Sequence, residues 1–234
     1  MKKQSRLERF FDSFALLLSG FMVTSISVSL SSAIEQNVTR PDQNLTFILD
    51  GYIRDSISLN RLNEELVLTP SASITLQNRC DRKNPAQGIK LTAKPMPIAP
   101  KPSTPAIRAL LKAGPDEVIR FRHVLLSCGA EVFSEADNWY VPGRLDRELN
   151  WALDNSRTPF GILVRKLNPV RINLSSEAFL PDNPKTSELT NGGEARSDEI
   201  ETPQIIMKHR AILQTERGPI SLVEEHYYEA LLER

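Results

Sequence analysis

The sequence predicts an α+β fold, a single antiparallel β-sheet flanked by helices, and three observations carry it. Alternating or β-branched runs occupy residues 88–93, 118–127, 131–142 and 203–214. Short turns, as at Cys128-Gly129-Ala130 and Gly218-Pro219, join several of these runs. Helix-like apolar spacing is grouped between the strands rather than following each strand in turn.

In chain order, Lys2, Lys3, Arg6 and Arg9 precede an uncharged run over 13–34. A basic start, an apolar middle and small residues at Ser31-Ser32-Ala33 read as a targeting or anchoring segment, or else as a core or dimer-forming helix. We therefore set residues 1–40 apart as an N-terminal hydrophobic extension, and take 41–234 as the folded domain. Residues 45–57 and 62–68 have helical apolar spacing, Pro70 breaks it, and the serines of Ser71-Ala72-Ser73-Ile74-Thr75-Leu76 cap a new helix. Pro95, Pro97, Pro100, Pro102 and Pro105 make 94–103 an extended connector. Thr104-Pro105-Ala106 opens a short helix to Lys112, with Pro in its first turn.

The run over 118–127 places Arg120, Arg122, Val124 and Leu126 on one strand face, with Ile119, Phe121, His123 and Leu125 on the other. Both faces look covered. A second strand follows over 131–142, a helix over 145–153, and a further strand at Ile162-Leu163-Val164. Residues 179–202 are rich in Asn, Asp, Glu, Ser, Gly and Pro and read as a mobile insertion. The strand over 203–214 pairs through Gly218-Pro219 with Ile220-Ser221-Leu222-Val223-Glu224-Glu225, and a short helix ends the chain over 226–232.

That last strand holds the sharpest anomaly. Ile220, Leu222 and Glu224 share one face, so Glu224 either points inward, where an ionised carboxylate needs a partner or a proton, or the strand twists out and both glutamates are solvated.

Composition excludes several functions. Lys+Arg and Asp+Glu each number 29, so no net field attracts nucleic acid. Cys80 and Cys128 stand far apart without a CxxC or CxxH, which favours buried free thiols over a disulfide framework or zinc site. His123, His209 and His226 form no HxxxH or HExxH, so local motifs give no metal site. No nucleophile elbow, phosphate loop or dinucleotide fingerprint supports covalent catalysis or a nucleotide cofactor. What remains is an arginine and a carboxylate on strands. Arg122 suits a planar carboxylate through its parallel donors, or serves as a structural partner of Glu224.

The order and spacing of Arg122-His123-Val124-Leu125-Leu126, Ala136, Val141-Pro142, Thr158-Pro159-Phe160-Gly161 and Gly218-Pro219-Ile220-Ser221-Leu222-Val223-Glu224 resemble the chorismate pyruvate-lyase family, including its cyanobacterial and plastid-encoded branch. Ser73-Ile74-Thr75 resembles that family's Ser-Met-Thr segment, and the likeness spans roughly residues 65–228. The resemblance implies a chorismate-lyase-like fold with a closed pocket beneath flap-like helices. It also implies cofactor-free, metal-free conversion of chorismate to 4-hydroxybenzoate and pyruvate, supplying a quinone head-group precursor.

By position, Arg122 would hold the ring carboxylate and Glu224 the ring hydroxyl. Ile74 and Phe160 would lend backbone N–H groups to the ligand. Arg210 and Arg120 are weaker candidates for the second carboxylate of chorismate. Such an elimination ends in an aromatic ring, so the protein needs orientation, a base and charge stabilisation, with Glu224 as candidate base.

Phe160 is larger than the family's leucine, which reshapes the pocket. The same resemblance places the chain in the cytoplasm or plastid stroma, whereas a working N-terminal signal would anchor it to a membrane or export it as an interaction protein. The alternative function is a non-catalytic sensor domain of the same fold that binds a small aromatic acid. Such sensors are normally attached to a DNA-binding helix-turn-helix, and residues 1–40 lack two polar-faced helices.

Overall fold

A computed structural model describes residues 43–180 and 203–233. The expectations for the N-terminal extension and for all but the first two residues of the 179–202 insertion lie outside these residues. Six strands form one antiparallel sheet: β1 (Leu91–Pro95), β2 (Arg120–Cys128), β3 (Glu131–Tyr140), β4 (Val170–Ala178), β5 (Ile205–Thr215) and β6 (Gly218–Tyr228). Their order across the sheet is β1-β2-β3-β6-β5-β4, and every pairing is antiparallel. The fold is thus the expected α+β architecture on a single antiparallel sheet.

Helices cover one face. Helix α1 (Gln43–Leu68) runs unbroken where the sequence suggested two segments, and it buries Leu59, Leu62 and Leu66, spaced three and four apart. Helix α2 (Ala72–Lys83) buries Ala72, Leu76 and Cys80 at the same helical spacing. Arg79 of α2 ties back to Glu65 of α1 at 2.9 Å. At the other end of this face lie α4 (Arg147–Asn155) and α5 (Phe160–Leu163). The Asp146 carboxylate caps α4, accepting from the Leu149 N–H at 2.7 Å.

On the opposite face sit α3 (Pro105–Leu110) and the proline-rich connector before it. Thr104 Oγ1 caps α3 by accepting from Ile107 N–H, and the helix buries Ile107 and Leu111 against Trp139, Ile212 and Leu222. Trp139 Nε1 donates to the Lys101 carbonyl at 3.3 Å, laying the connector across β3.

Several sequence expectations are corrected. Ile162-Leu163-Val164 is not a strand. It lies in α5 and the 3₁₀ turn after it, because a short apolar run bounded by Pro is read equally by a buried helical turn. The closing helix over 226–232 is instead the end of β6, extending to Tyr228, with a 3₁₀ turn after it. There Tyr227 pairs with Ser134 and Met207, and aromatic residues half-locked in a ladder favour the strand. Strand β4, which the sequence left unassigned, forms the sheet edge beside β5.

Cys80 and Cys128 are not free thiols. They form a disulfide between α2 and the end of β2. The spacing of 48 residues carried no sign of it, because the contact exists only once α2 packs on the sheet. Closing a loop of that length restricts the unfolded chain by about 4 kcal/mol in the chain-entropy account.

Candidate functional site

The sheet's alternation decides which side chains meet under the helices. Directly opposed residues share a face, so Arg122, Asn138, Val223, Ala211 and Asn173 line up across β2, β3, β6, β5 and β4. One register further, Val124, Ala136 and Glu225 do the same. Between this floor and a roof of α2 and α5 lies a cavity of about 40 Å³. The roof is tightly seamed. A Cβ added to Gly161 would lie 2.1 Å from Ser71 Oγ, so α5 approaches α2 this closely only through a glycine.

Arg122 is the distinctive group. Its Nη2 is buried and has no hydrogen-bond partner, and burial pulls its guanidinium below the ordinary arginine range. It nevertheless remains charged at neutral pH. The neighbouring Arg120, by contrast, is satisfied by a bidentate pair with Asp154 at 3.0 and 3.1 Å.

Further orphaned groups lie on the same side of the sheet, including His209 Nδ1 opposite Glu225. Ser71 Oγ is buried without a partner at the roof, and so is Tyr140 Oη, whose phenol is pushed up by burial. The Tyr140 ring meets Phe160 at a tilt of 54°, with ring centroids 5.8 Å apart.

Across the cavity from Arg122, Glu225 is held by Arg171 of β4 at 2.6 Å and accepts from Tyr227 Oη at 2.8 Å, both at Oε2. Burial works to lower the Arg171 pKa, and the Glu225 carboxylate overrides it in the upward direction. Burial also pushes the Tyr227 hydroxyl up. His209, opposite Glu225 on β5, lies within 2.9 Å of Ser176 Oγ and 3.0 Å of Asn63 Oδ1 through Nε2. Burial lowers its pKa to about 4, so it is neutral at physiological pH. The cavity thus presents two guanidinium groups against one carboxylate, a surplus of one positive charge.

The predicted site residues divide accordingly. Arg122 and Phe160 both line the cavity. Glu224 does not: it faces the other side of the sheet, paired with Arg210 at 3.0 Å, and both side chains are more than one-third exposed. The physical reason is a β-bulge. Leu213 pairs with Ser221 and Gln214 with Pro219, so Ile220 is an extra residue in β6. The resemblance put the inward carboxylate five residues after Pro219, at Glu224. With the extra residue that count falls one short, and Glu225 takes the interior place.

Arg210, expected near the ligand, shares Glu224's face and is likewise outside the cavity. Ile74 is also absent from the lining, and its N–H is already donated to the Ser71 carbonyl at 3.0 Å. Sequence reasoning missed Glu225, Arg171, Asn138 and Ser71. Glu225 carried a signal in the adjacent pair Glu224-Glu225, whereas Arg171 lay in a strand not recognised from the sequence.

No protein-family model matches the chain. Among solved structures, similarity extends to the possible transcriptional regulator YydK from Bacillus subtilis, at 16% identity and TM-score 0.39, covering 62% of each chain. It extends also to the effector domain of PhnF from Mycobacterium smegmatis, at 10% identity and TM-score 0.41, covering 62% of this chain and 84% of that one. The C-terminal domain of the histidine utilization repressor from Pseudomonas syringae matches at 12% identity and TM-score 0.40, covering 62% of this chain and 95% of that one. These overlays are too loose to bear on function. A sequence relative, the uncharacterized protein y4mC of Sinorhizobium fredii, is 37% identical over 178 residues, covering 75% of each chain. At that identity and coverage, the chain belongs to the same family as the rhizobial protein.

Proposed function

We propose that this domain binds a small aromatic monocarboxylic acid in the cavity beneath α2 and α5, without turning it over. The carrying observation is the buried, unpartnered Arg122 Nη2 on the cavity wall. An interior charge without a partner is costly, and a carboxylate is the ligand group that relieves it with parallel, charge-assisted hydrogen bonds. Apolar walls from Val124, Ala136, Leu213 and Val223 suit a ring. The cavity's volume of about 40 Å³ is well below the roughly 150 Å³ that admits benzene, so the α2–α5 seam must part to admit a ligand.

Calorimetric titration with 4-hydroxybenzoate and benzoate tests this reading. The expected result is one ligand per chain, with p-cresol, which has no carboxylate, binding far more weakly. Equal affinity for the acid and p-cresol would overturn it.

A second reading, chorismate pyruvate-lyase activity, is favoured by Arg122 and Phe160 lining one cavity, as the motif order implies. On this reading Glu225 takes the role expected of Glu224. Two features weigh against it. Chorismate brings two carboxylates to a cavity with one surplus positive charge, and Glu225 Oε2 is already engaged by Arg171 and Tyr227. Incubation with chorismate, following 4-hydroxybenzoate by chromatography, decides it: release of product above the uncatalysed rate would establish the lyase.

A further inference from the structure

We propose that Asn138 is a second ligand-binding donor beside Arg122 and that Ser221 positions it, an inference that rests on the carboxylate reading of the cavity. Arg122 and Asn138 are directly opposed on β2 and β3. In an antiparallel ladder this sets their Cβ atoms about 4.5–5.5 Å apart on one face. Both line the cavity, and Asn138 is 4% exposed.

Ser221 is fully buried, and its hydroxyl donates to Asn138 Oδ1. In that orientation the amide nitrogen is what Asn138 offers to the cavity. A carboxylate has two oxygens and only acceptor sites. Arg122 Nη2 meets one oxygen and the Asn138 amide the other.

Ser221 does not touch the ligand. Its hydrogen bond holds the Asn138 side chain in place at the cavity wall. The carboxylate itself selects the amide nitrogen, since a rotated amide would aim oxygen at oxygen while the hydroxyl can donate or accept. Because Asn138 and Ser221 are neutral, they strengthen the grip on a carboxylate without adding charge. The cavity therefore selects a monoanion over a dianion.

The test uses the full chain, titrated calorimetrically with 4-hydroxybenzoate and with p-cresol, which lacks the carboxylate. Asn138→Ala is expected to weaken 4-hydroxybenzoate about tenfold while leaving p-cresol unchanged. Asn138→Asp, which would pair with Arg122 and neutralise it, is expected to abolish binding of the acid and spare p-cresol. Ser221→Ala is expected to lower the acid-to-cresol affinity ratio part of the way, and Ser221→Thr to restore it. Ser221→Ala removes one oxygen atom and keeps the comparison available if an Asn138 variant unfolds. Equal losses for both ligands, or no loss for the acid in Asn138→Ala, would overturn the assignment while leaving the carboxylate reading standing. Failure of the wild-type chain to bind any carboxylate would overturn both.

Discussion

The two faces of the sheet carry the same cast in different settings. On the helix-covered face, Glu225, Arg171 and His209 lie together, and on the other, Glu224, Arg210 and His226. Glu225 and Arg171 are separated by 2.6 Å with side chains 12% and 2% exposed, whereas Glu224 and Arg210 are separated by 3.0 Å at 37% and 36%. Residue type is nearly constant between the two sets, so the difference isolates what burial does. Under the helices an ion pair is obligatory, because neither charge has water to fall back on. On the other face both side chains reach solvent over more than a third of their surface, and the pair adds little.

The largest expected effect tests that contrast directly. Arg171→Ala strands Glu225 beneath the helices and is expected to cost about 3–5 kcal/mol of stability. Arg210→Ala, removing the matching group on the other face, is expected to cost about 0–1 kcal/mol. Urea unfolding of both variants measures the difference. Equal losses would mean that the two faces are not distinguished by burial.

His209 extends the comparison to pH. Burial pulls His209 down to about 4 in the folded chain, with Glu225 pulling the other way and Arg171 adding to the depression, whereas an unfolded histidine titrates near 6.5. Above about pH 6.5 both states are neutral at this residue, and its contribution to stability is fully present. As pH falls from about 6.5 towards 4 the unfolded chain takes up the proton first, and on the order of 3 kcal/mol is lost. Below about 4 the folded state protonates too and the loss levels off. His209→Phe is expected to flatten this acid limb of the stability–pH curve, measured by urea unfolding across roughly pH 4 to 7.

Arg122 breaks the symmetry, since it has no counterpart carboxylate. Arg122→Met is expected to lower carboxylate affinity by about 2–3 kcal/mol, while raising stability by roughly 1 kcal/mol through removal of an unpaired buried charge. Calorimetric titration and thermal unfolding of one variant read the two signs. Loss of both binding and stability would show that Arg122 is structural.

How far the sequence carried this site follows from the range of each signal. Alternation over 118–127 placed Arg122 with Val124 and Leu126 correctly, because strand periodicity is local and β2 keeps its register as far as Leu126. The same logic failed on β6 by one residue, since the bulge at Ile220 is set by how the β5–β6 hairpin closes. Apolar neighbours could not correct it, for Leu222 and Val223 are both buried, on opposite faces, and give either glutamate an apolar companion. Strand β4 was invisible because its mostly exposed residues alternate Arg171 and Asn173 with Ile172 and Leu174 at a sheet edge. The Cys80–Cys128 bond was invisible for the reason that spacing says nothing about which helix lands on which strand.

The smallest expected effect is the most discriminating for the register. Glu224→Gln removes a charge from a half-exposed pair with Arg210, so stability should change by no more than about 1 kcal/mol. The side chain faces away from the cavity, and Arg122 and Asn138 contribute nothing to its surroundings, so affinity for 4-hydroxybenzoate should stay within twofold of wild type. Glu225→Gln, one residue along, breaks the charge pairing of Arg171 and changes the wall that faces the ligand. It should lower stability and raise affinity for 4-hydroxybenzoate, since the cavity's surplus of one positive charge becomes two. If Glu224→Gln raised the affinity and Glu225→Gln left it unchanged, β6 would lack its bulge in the ligand-bound chain, and the count of five from Pro219 would be restored.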